Sequence, residues 1–175
     1  MAAPNQIHIA KTLAISTSLL ATGGILASSA YIVPILSTRS TDDRSSTVSL
    51  HQLRSFFSSG SHIFPPLAIL SCGLFGYLSY LSSNGNEAAK ARLYAAAAAG
   101  VASIVPFTLW VMVPACNGRL IELEERSKGA GKEAVRKEGG NEEVTQLLER
   151  FKRLNYLRGV LIGVGGILGV WASIV

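Results

Sequence analysis

Five polar residues at the borders of apolar runs are the side chains in this sequence best suited to chemistry. His62 lies in "GSHIFPP", and Asn117 and Arg119 follow the apolar stretch "VPFTLWVMVPAC". Asn155 and Arg158 lie in "RFKRLNYLRG". Histidine takes up and releases a proton near neutral pH, which suits acid–base catalysis. A polar group that enters a membrane costs free energy, so each of these residues needs a reason to be there.

Two of these residues also have a purely structural interpretation. A histidine at a membrane boundary, such as His62, can be an interfacial polar residue with no part in a reaction. Arg158 is the last charge before an apolar run, so its side chain can reach back to the interface as an anchor. The residue types alone leave these alternatives open.

The remaining histidines and the cysteines do not indicate a metal site. His8 lies in the N-terminal tail, and His51 lies on an amphipathic stretch. Haem ligation by two histidines would require His51 and His62 to be brought together. Cys72 and Cys116 form no CxxC motif, so we interpret them as small apolar packing residues. We therefore expect neither a bound metal nor a haem.

Two prolines, Pro106 and Pro114, interrupt the apolar stretch between residues 105 and 120. At about 100° per residue, Trp110 and Asn117 share a helical face with Pro106, and Thr108 lies on another face. Because proline has no N–H group, it leaves backbone carbonyls that need other partners at membrane depth. The stretch is either a structural kink or a broken helix that faces a cavity. The polar groups that converge at one membrane face favour the cavity.

The composition and the charge pattern predict a membrane protein with several spans. Of 175 residues, 49% are hydrophobic and only 15% are charged, against about 25% in soluble domains. Four apolar runs, at about 10–36, 63–82, 92–115 and 155–175, are long enough for the roughly 20 residues that cross a bilayer. We predict an all-α fold: a single membrane domain over residues 1–175, with four transmembrane helices. The stretch at about 48–60 is typical of a short interfacial amphipathic helix.

The first run has an alternative interpretation as a cleaved signal peptide. Lys11 precedes an apolar core, and "ASSA" at residues 27–30 resembles a cleavage site. The apolar run continues past that site through Tyr31–Leu36, which favours a transmembrane helix.

The distribution of positive charge predicts the orientation in the membrane. Four spans place both termini on one side with Lys11, Lys90 and Arg92, and the other 13 of the 16 lysines and arginines on the opposite side. The positive-inside rule then puts the long loops, including residues 116–154, in the cytosol. The net charge of +5 is thereby explained without a nucleic-acid partner. We expect an integral protein of the endoplasmic reticulum or another endomembrane.

The fourth run is rich in glycine. "RGVLIGVGGILGVW" contains the spaced pairs Gly159/Gly163 and Gly165/Gly169. Small residues at this spacing let another helix approach closely in lipid. We expect this helix to lie at the centre of the bundle or to form a homo-oligomer contact.

Four segments of the sequence occur together in a known family. The segments "YIVPIL", "FFSSGSHIFPPLA", "VPFTLWVMVPACNGRL" and "FKRLNYLRG" span most of the chain. On these motifs the sequence resembles the fungal anthrone oxygenases, small four-helix membrane proteins associated with polyketide biosynthesis. The tryptophan that usually precedes "LN..R" in that family is Phe151 here or is absent.

The resemblance implies a reaction and a set of site residues. The reaction is the oxidation of an aromatic polyketide, a tricyclic anthrone, to an anthraquinone by molecular oxygen, with no other cofactor expected. An anthrone has an activated methylene whose anion can react with oxygen directly, given a base, N–H donors and a dry cavity. The implied catalytic residues are His62 as general base, and Arg158 with Asn155 and Asn117 as stabilisers of the developing enolate oxygen or of the peroxide. The implied substrate-binding residues are Trp110, Thr108, Tyr31 and Phe64.

Two functions of other classes remain as alternatives. In a non-enzymatic scaffold or carrier subunit with four spans, Asn117, Asn155 and Arg158 would form a polar clamp between helices. A small channel or transporter is disfavoured because the apolar runs contain no aspartate or glutamate and no series of charges.

Overall fold

The computed structural model describes residues 4–39, 46–129 and 140–175, and its regular elements there are all helices. In chain order they are α1 (Pro4–Ala27), π1 (Ser28–Ile32), α2 (Val33–Arg39), α3 (Ser46–Asn84), α4 (Ala88–Ala102), α5 (Ile104–Phe107), π2 (Thr108–Asn117), α6 (Gly118–Gly129) and α7 (Gly140–Ile174). The described residues thus confirm the predicted all-α fold.

Four stretches of helix are long and apolar enough to cross a bilayer. They are Pro4–Leu36, His51–Asn84, Ala88–Arg126 and Glu142–Ile174, and each overlaps one of the four predicted runs. The protein is therefore an integral membrane protein, as predicted from its charge pattern.

The amphipathic stretch at residues 48–60 differs from the predicted separate helix. It is the first part of α3, which continues without a break from Ser46 to Asn84. Pro65 and Pro66 therefore lie inside a helix of 39 residues, whereas a span that began at about residue 63 would place them in its first turn. Because neither proline has an N–H group, α3 loses two of its usual backbone hydrogen bonds in the turn that carries His62.

Two segments of the spans are π-helical, with hydrogen bonds to carbonyls five residues earlier instead of four. The first, π1, has 5 residues, and the second, π2, has 10 residues and contains Pro114. At the end of π2 the N–H group of Gly118 donates to the carbonyl oxygen of Val113. Short π-helical segments are rare and occur frequently at functional sites. In the stretch with two prolines, Pro106 thus lies on the regular helix α5, and the chain continues from Thr108 as a widened helix that contains Pro114.

The described chain divides into two compact units. Unit 1 comprises the residues up to Gly24, Ile63–Pro106 and Arg158–Val175, and unit 2 comprises Ile25–His62 and Phe107–Leu157. Both π-helical segments belong to unit 2.

Unit 1 is packed through the glycines of α7. A Cβ atom added to Gly165 would lie 2.8 Å from the carbonyl oxygen of Ala97, and one added to Gly100 would lie 3.1 Å from the Cα atom of Gly165. A Cβ atom added to Gly169 would overlap the ring of Phe75. Helices in lipid associate by such close packing. These glycines serve contacts within the chain, and the homo-oligomer contact of this helix stays a prediction.

Buried hydroxyl groups join the helices of unit 1. Ser71 on α3 is fully buried and donates to the carbonyl oxygen of Ala14 on α1 at 2.8 Å. The hydroxyl oxygens of Tyr94 and Ser173 lie 3.1 Å apart, which joins α4 to α7. Each contact lets a polar side chain enter the apolar interior with a hydrogen-bond partner.

Unit 2 has an apolar core built from π2, α6 and the first half of α7, together with α2 and α3. Its buried members are Val33, Leu36, Leu53, Met112, Cys116, Leu120, Leu123, Val144, Leu148 and Phe151. Three of them, Val144, Leu148 and Phe151, lie on the first half of α7, which is continuous with the fourth span because α7 runs as one helix from Gly140 to Ile174.

Candidate active site

Most of the residues predicted to form the site belong to unit 2. They are His62, Asn117, Asn155, Trp110, Thr108 and Tyr31, whereas Arg158 and Phe64 belong to unit 1. The two π-helical segments carry four of the six, namely Tyr31 on π1 and Thr108, Trp110 and Asn117 on π2. Half of the eight predicted site residues thus lie on the least regular backbone of the described chain, although Asn117 is the only one of the five polar candidates among them.

His62 has a defined tautomer when it is neutral. Its Nδ1 atom lies 2.6 Å from the backbone carbonyl oxygen of Ser58, one turn earlier on α3. Because a carbonyl oxygen can only accept, Nδ1 must carry the proton and donate. Nε2 of the neutral ring then holds the lone pair, as a general base requires. The side chain is exposed on the chain surface, where a ligand can reach it.

Asn155 is buried, with 1% of its surface exposed, and its amide nitrogen is fully used within unit 2. Nδ2 donates to the carbonyl oxygen of Ile25 at 3.2 Å and to the hydroxyl oxygen of Ser29 at 2.8 Å. These two bonds employ both N–H groups of the amide. The resemblance implied that Asn155 donates to a developing oxyanion, but in this geometry the amide has only its oxygen left to offer.

In Asn117 the side-chain oxygen, and not the nitrogen, is the amide atom with a hydrogen-bond partner among the described residues. Its Oδ1 atom lies 3.4 Å from the thiol of Cys116, which also lies 3.5 Å from the carbonyl oxygen of Met112. The thiol contact engages the oxygen of the amide and not its N–H groups. Asn117 is only half-buried, at the end of π2. It therefore suits the role of a donor to an anion better than Asn155 does.

Arg158 has a buried donor group. Within the described residues its Nε atom is buried and has no hydrogen-bond partner. A buried N–H group of a guanidinium without an acceptor is costly, and an anionic ligand would relieve that cost. Arg158 thus retains its predicted place as a candidate for anion stabilisation.

The aromatic residues predicted to contact substrate differ in exposure. Tyr31 is 70% exposed and Trp110 is 78% exposed, so both rings face outward from the chain. Phe64 is half-buried and packs against Gly24, where an added Cβ atom would lie 2.6 Å from the ring. Thr108 is half-buried. In a bilayer, the two exposed rings of Tyr31 and Trp110 would be accessible to apolar molecules dissolved among the lipid chains.

Arg119 has partners that remove it from the candidate site. Its Nε atom donates to Glu143 at 2.9 Å, and its Nη1 atom donates to Glu122 at 3.0 Å. Glu122 also accepts from Arg126 at 2.7 Å. Arg119 therefore ties α6 to the start of α7. The spacing of three residues between Arg119 and Glu122 was the sequence signal for this pairing.

Two polar contacts of unit 2 were missed by the sequence analysis. Arg150 on α7 donates to the carbonyl oxygen of Ala115 in π2 at 3.3 Å. Glu124 is 2% exposed, and its carboxylate lies 3.7 Å from Nδ1 of His51, which is itself exposed. An acid on the apolar face of α6, beside Leu120 and Leu123, was the available signal for Glu124. The contact of Arg150 left no local signal, because its partner is a backbone atom 35 residues away.

Comparison with known proteins decides the family. The family model "Anthrone oxygenase" matches residues 53–168. Anthrone oxygenase encC of Aspergillus fumigatus is 34% identical over 170 residues, which cover 94% of this chain and 92% of the relative. The chain belongs to the anthrone oxygenase family. The resemblance stated on the sequence motifs is thereby confirmed.

Other anthrone oxygenases match at lower identity. Anthrone oxygenase nsrD of Aspergillus novofumigatus is 31% identical over 112 residues, 64% of this chain and 66% of the relative. Anthrone oxygenase AgnL2 of Paecilomyces divaricatus is 26% identical over 160 residues, 91% of this chain and 92% of the relative. No solved structure matches the chain significantly. The range matched by the anthrone oxygenase model contains all the predicted site residues except Tyr31.

The possible metal ligands in the described part of this anthrone oxygenase family member are scattered. Among residues 4–39, 46–129 and 140–175 there is no group of three or more histidine, cysteine, aspartate or glutamate side chains that could hold an ion.

Proposed function

We propose that this member of the anthrone oxygenase family oxidises a polyketide-derived anthrone to an anthraquinone with molecular oxygen. Family membership supports the reaction, and one observation in the site supports the mechanism. Nδ1 of His62 donates to Ser58, so Nε2 carries the lone pair that can remove a proton from the anthrone methylene.

The proposed reaction needs two proton removals at one carbon. Nε2 of His62 first takes a methylene proton, and the resulting anion is delocalised over the tricyclic ring onto its oxygen. The anion gives one electron to O2, and the two radicals combine to form a carbon–oxygen bond, which gives a hydroperoxide after protonation. Loss of the second proton of that carbon with cleavage of the O–O bond leaves the ketone and releases water. One O2 thus supplies one oxygen atom to the quinone and one to water.

Anion stabilisation is the second task of the protein. We assign it to the N–H groups of Arg158 and Asn117, because neither set is tied to a carboxylate in the described residues, unlike that of Arg119. N–H donors that are oriented in advance act on charge as it develops, and in an apolar site such donors contribute more than they do in water. Trp110, Thr108, Tyr31 and Phe64 are proposed to contact the flat aromatic substrate.

Oxygen uptake by the purified protein tests the function. With an anthrone as substrate, we expect O2 consumption above the uncatalysed air oxidation, in a ratio of one O2 to one anthraquinone formed. Metal analysis of the same sample, expected to give less than one equivalent of metal per protein, tests the proposal that the reaction needs no metal cofactor. Anthrone conversion at the uncatalysed rate by folded protein would rule out the enzyme.

The second candidate function is a non-enzymatic scaffold or carrier. The amide of Asn155 favours it, because this amide bridges α7 and the end of α1 as an interhelical polar clamp. In that case substitutions of Asn155 lower the amount of assembled protein, and no variant changes a turnover rate.

The location of the protein is proposed from its charges. We propose the endoplasmic reticulum or another endomembrane, with the long loops in the cytosol. Acceptor sites for N-glycosylation introduced at the N-terminal tail are expected to be modified, and sites introduced between the third and fourth spans, within residues 120–145, are expected to stay unmodified. The reverse pattern would show the opposite orientation. The proposed partners are the lipid bilayer, the aromatic substrate and a second copy of the chain, with no nucleic acid.

A further inference from the structure

The strongest unused feature of unit 2 is the side-chain oxygen of Asn155. Within the described residues, Oδ1 of Asn155 is buried and has no hydrogen-bond partner. The rest of the same amide is fully bonded, to Ile25 and to Ser29. A buried amide oxygen without a donor is a cost that folded proteins rarely leave in place.

The orientation of this amide is fixed by its neighbours. The carbonyl oxygen of Ile25 can only accept, so the atom of Asn155 that faces it must be the nitrogen. The hydroxyl of Ser29 already donates to the same carbonyl at 3.0 Å, so its oxygen accepts from Asn155. A rotation of the amide by 180° would place two oxygens against each other. Oδ1 is therefore held in place as an acceptor by the two bonds of Nδ2.

The surroundings of the amide agree with a binding role. Ser29 belongs to π1, and the carbonyl of Ile25 lies in the helical turn before it. A π-helical turn costs stability and tends to persist where it serves function. The side chains of Ser28 and Ser29 are short and are 4% and 1% exposed. A polar acceptor thus lies beside small side chains at the least regular point of the first span.

We propose that Oδ1 of Asn155 is an acceptor subsite for a hydroxyl group on the aromatic ring system of the substrate. This inference rests on the proposed function and adds a preference among anthrones. An acceptor can discriminate only through donors, and a ring hydroxyl is a donor, whereas a ring methoxy group or a ring hydrogen is not. Acyl chains of lipids also lack donors, so they do not compete for this oxygen.

The test compares two ligands of similar size. A hydroxyanthrone with its hydroxyl remote from the carbonyl is compared with the corresponding methoxyanthrone, using the full-length protein in lipid nanodiscs. Wild-type protein is expected to prefer the hydroxy compound in kcat/KM by about tenfold or more, since a site that hydrogen-bonds a hydroxyl rejects analogues without one. Equal kcat/KM for the two ligands in the wild type would overturn the proposal. That result is expected if Oδ1 binds only a water molecule.

Two variants separate recognition from structure. Asn155→Leu is expected to oxidise both ligands at similar kcat/KM, because the acceptor is lost. Ser29→Ala is the matched control: it removes one partner of Nδ2 but leaves Oδ1, so the preference should persist. A preference that survives in Asn155→Leu would contradict the proposal. If Asn155→Leu does not fold, the wild-type comparison and Ser29→Ala still test the proposal. Loss of the preference for the hydroxy ligand in Ser29→Ala would also contradict the acceptor subsite.

Binding without oxygen separates this proposal from the proposed function. Under argon, the fluorescence of the two tryptophans reports ligand binding with no turnover. Tighter binding of the hydroxy ligand without any aerobic oxidation would refute the oxygenase and keep the acceptor subsite. Equal binding and equal oxidation of both ligands would refute the subsite and keep the oxygenase.

Discussion

Replacing His62 with alanine is expected to lower the rate of anthrone oxidation by about 10²- to 10⁴-fold, the range that a positioned general base contributes. The reason is the bond from Nδ1 to the carbonyl of Ser58, which leaves Nε2 as the basic atom. Initial rates of anthraquinone formation under air, corrected for the uncatalysed reaction, measure the effect.

A second histidine of the same helix supplies the matched control. His51 is also exposed on α3, and its variant His51→Ala removes an imidazole without touching the turn of His62. We expect His51→Ala to retain most of the activity. Equal rates for His62→Ala and wild type, in protein that is folded in detergent, would exclude His62 as the base. An equal loss in both histidine variants would instead point to a shared structural effect.

Gly165→Ala is expected to destabilise the protein more than any other single methyl addition considered above. The new Cβ atom would lie 2.8 Å from the carbonyl oxygen of Ala97 and 3.0 Å from a side-chain carbon of Val101. A backbone oxygen cannot rotate away, so α4 and α7 would have to separate. Overpacking of this kind costs about 1–3 kcal/mol, and backbone contacts place this variant at the upper end. The midpoint of thermal unfolding in detergent should fall accordingly.

Gly73→Ala controls for the loss of glycine itself. A Cβ atom at Gly73 would meet nothing within 4 Å, although this glycine also lies inside a spanning helix. Because alanine favours a helix over glycine by up to about 1 kcal/mol, this variant should be as stable as wild type or more so. Unchanged unfolding of Gly165→Ala would show that α4 and α7 do not approach as closely as described.

The spans could be predicted because their signal is local. An apolar run of about 20 residues has few alternatives to a transmembrane helix, since every backbone group must be bonded inside lipid. The continuity of α3 through Pro65 and Pro66 could not be predicted in the same way. Proline is tolerated in a first turn and inside a kinked membrane helix, and the sequence does not distinguish the two.

The π-helical segments were also beyond the sequence analysis. A change from four to five residues per hydrogen bond leaves no pattern in residue types, although Pro106 and Pro114 did mark the region as irregular. The prolines indicated where the regular α-helical hydrogen bonds are interrupted, and the structure shows that π-helical hydrogen bonds replace them between Thr108 and Asn117.

The sequence singles out residue types for a candidate site, and these residues stay a prediction, but it does not give the hydrogen-bond partners of their side chains. Asn155 and Arg119 are both polar groups beside apolar runs, but the partners of Asn155 and one of the two partners of Arg119 lie far away in the sequence. The amide of Asn155 bonds residues 126 and 130 positions earlier, and Arg119 bonds Glu143 across 24 positions. Such pairings depend on tertiary structure, so sequence spacing cannot assign donors and acceptors. His62 is different, because its partner lies one turn away on the same helix.

The length of α7 has a consequence for how the protein responds to temperature. With 35 residues at about 1.5 Å each, α7 is roughly 50 Å long, well beyond the 30 Å of hydrocarbon in a bilayer. We therefore expect its charged first half, whose Val144 and Leu148 share a core with Leu120 and Leu123 of α6, to extend beyond the hydrocarbon into water. That core is stabilised by a force that weakens on cooling, whereas the glycine contacts of unit 1 depend on van der Waals packing in lipid. Low temperature should thus loosen the two ends of one helix unequally.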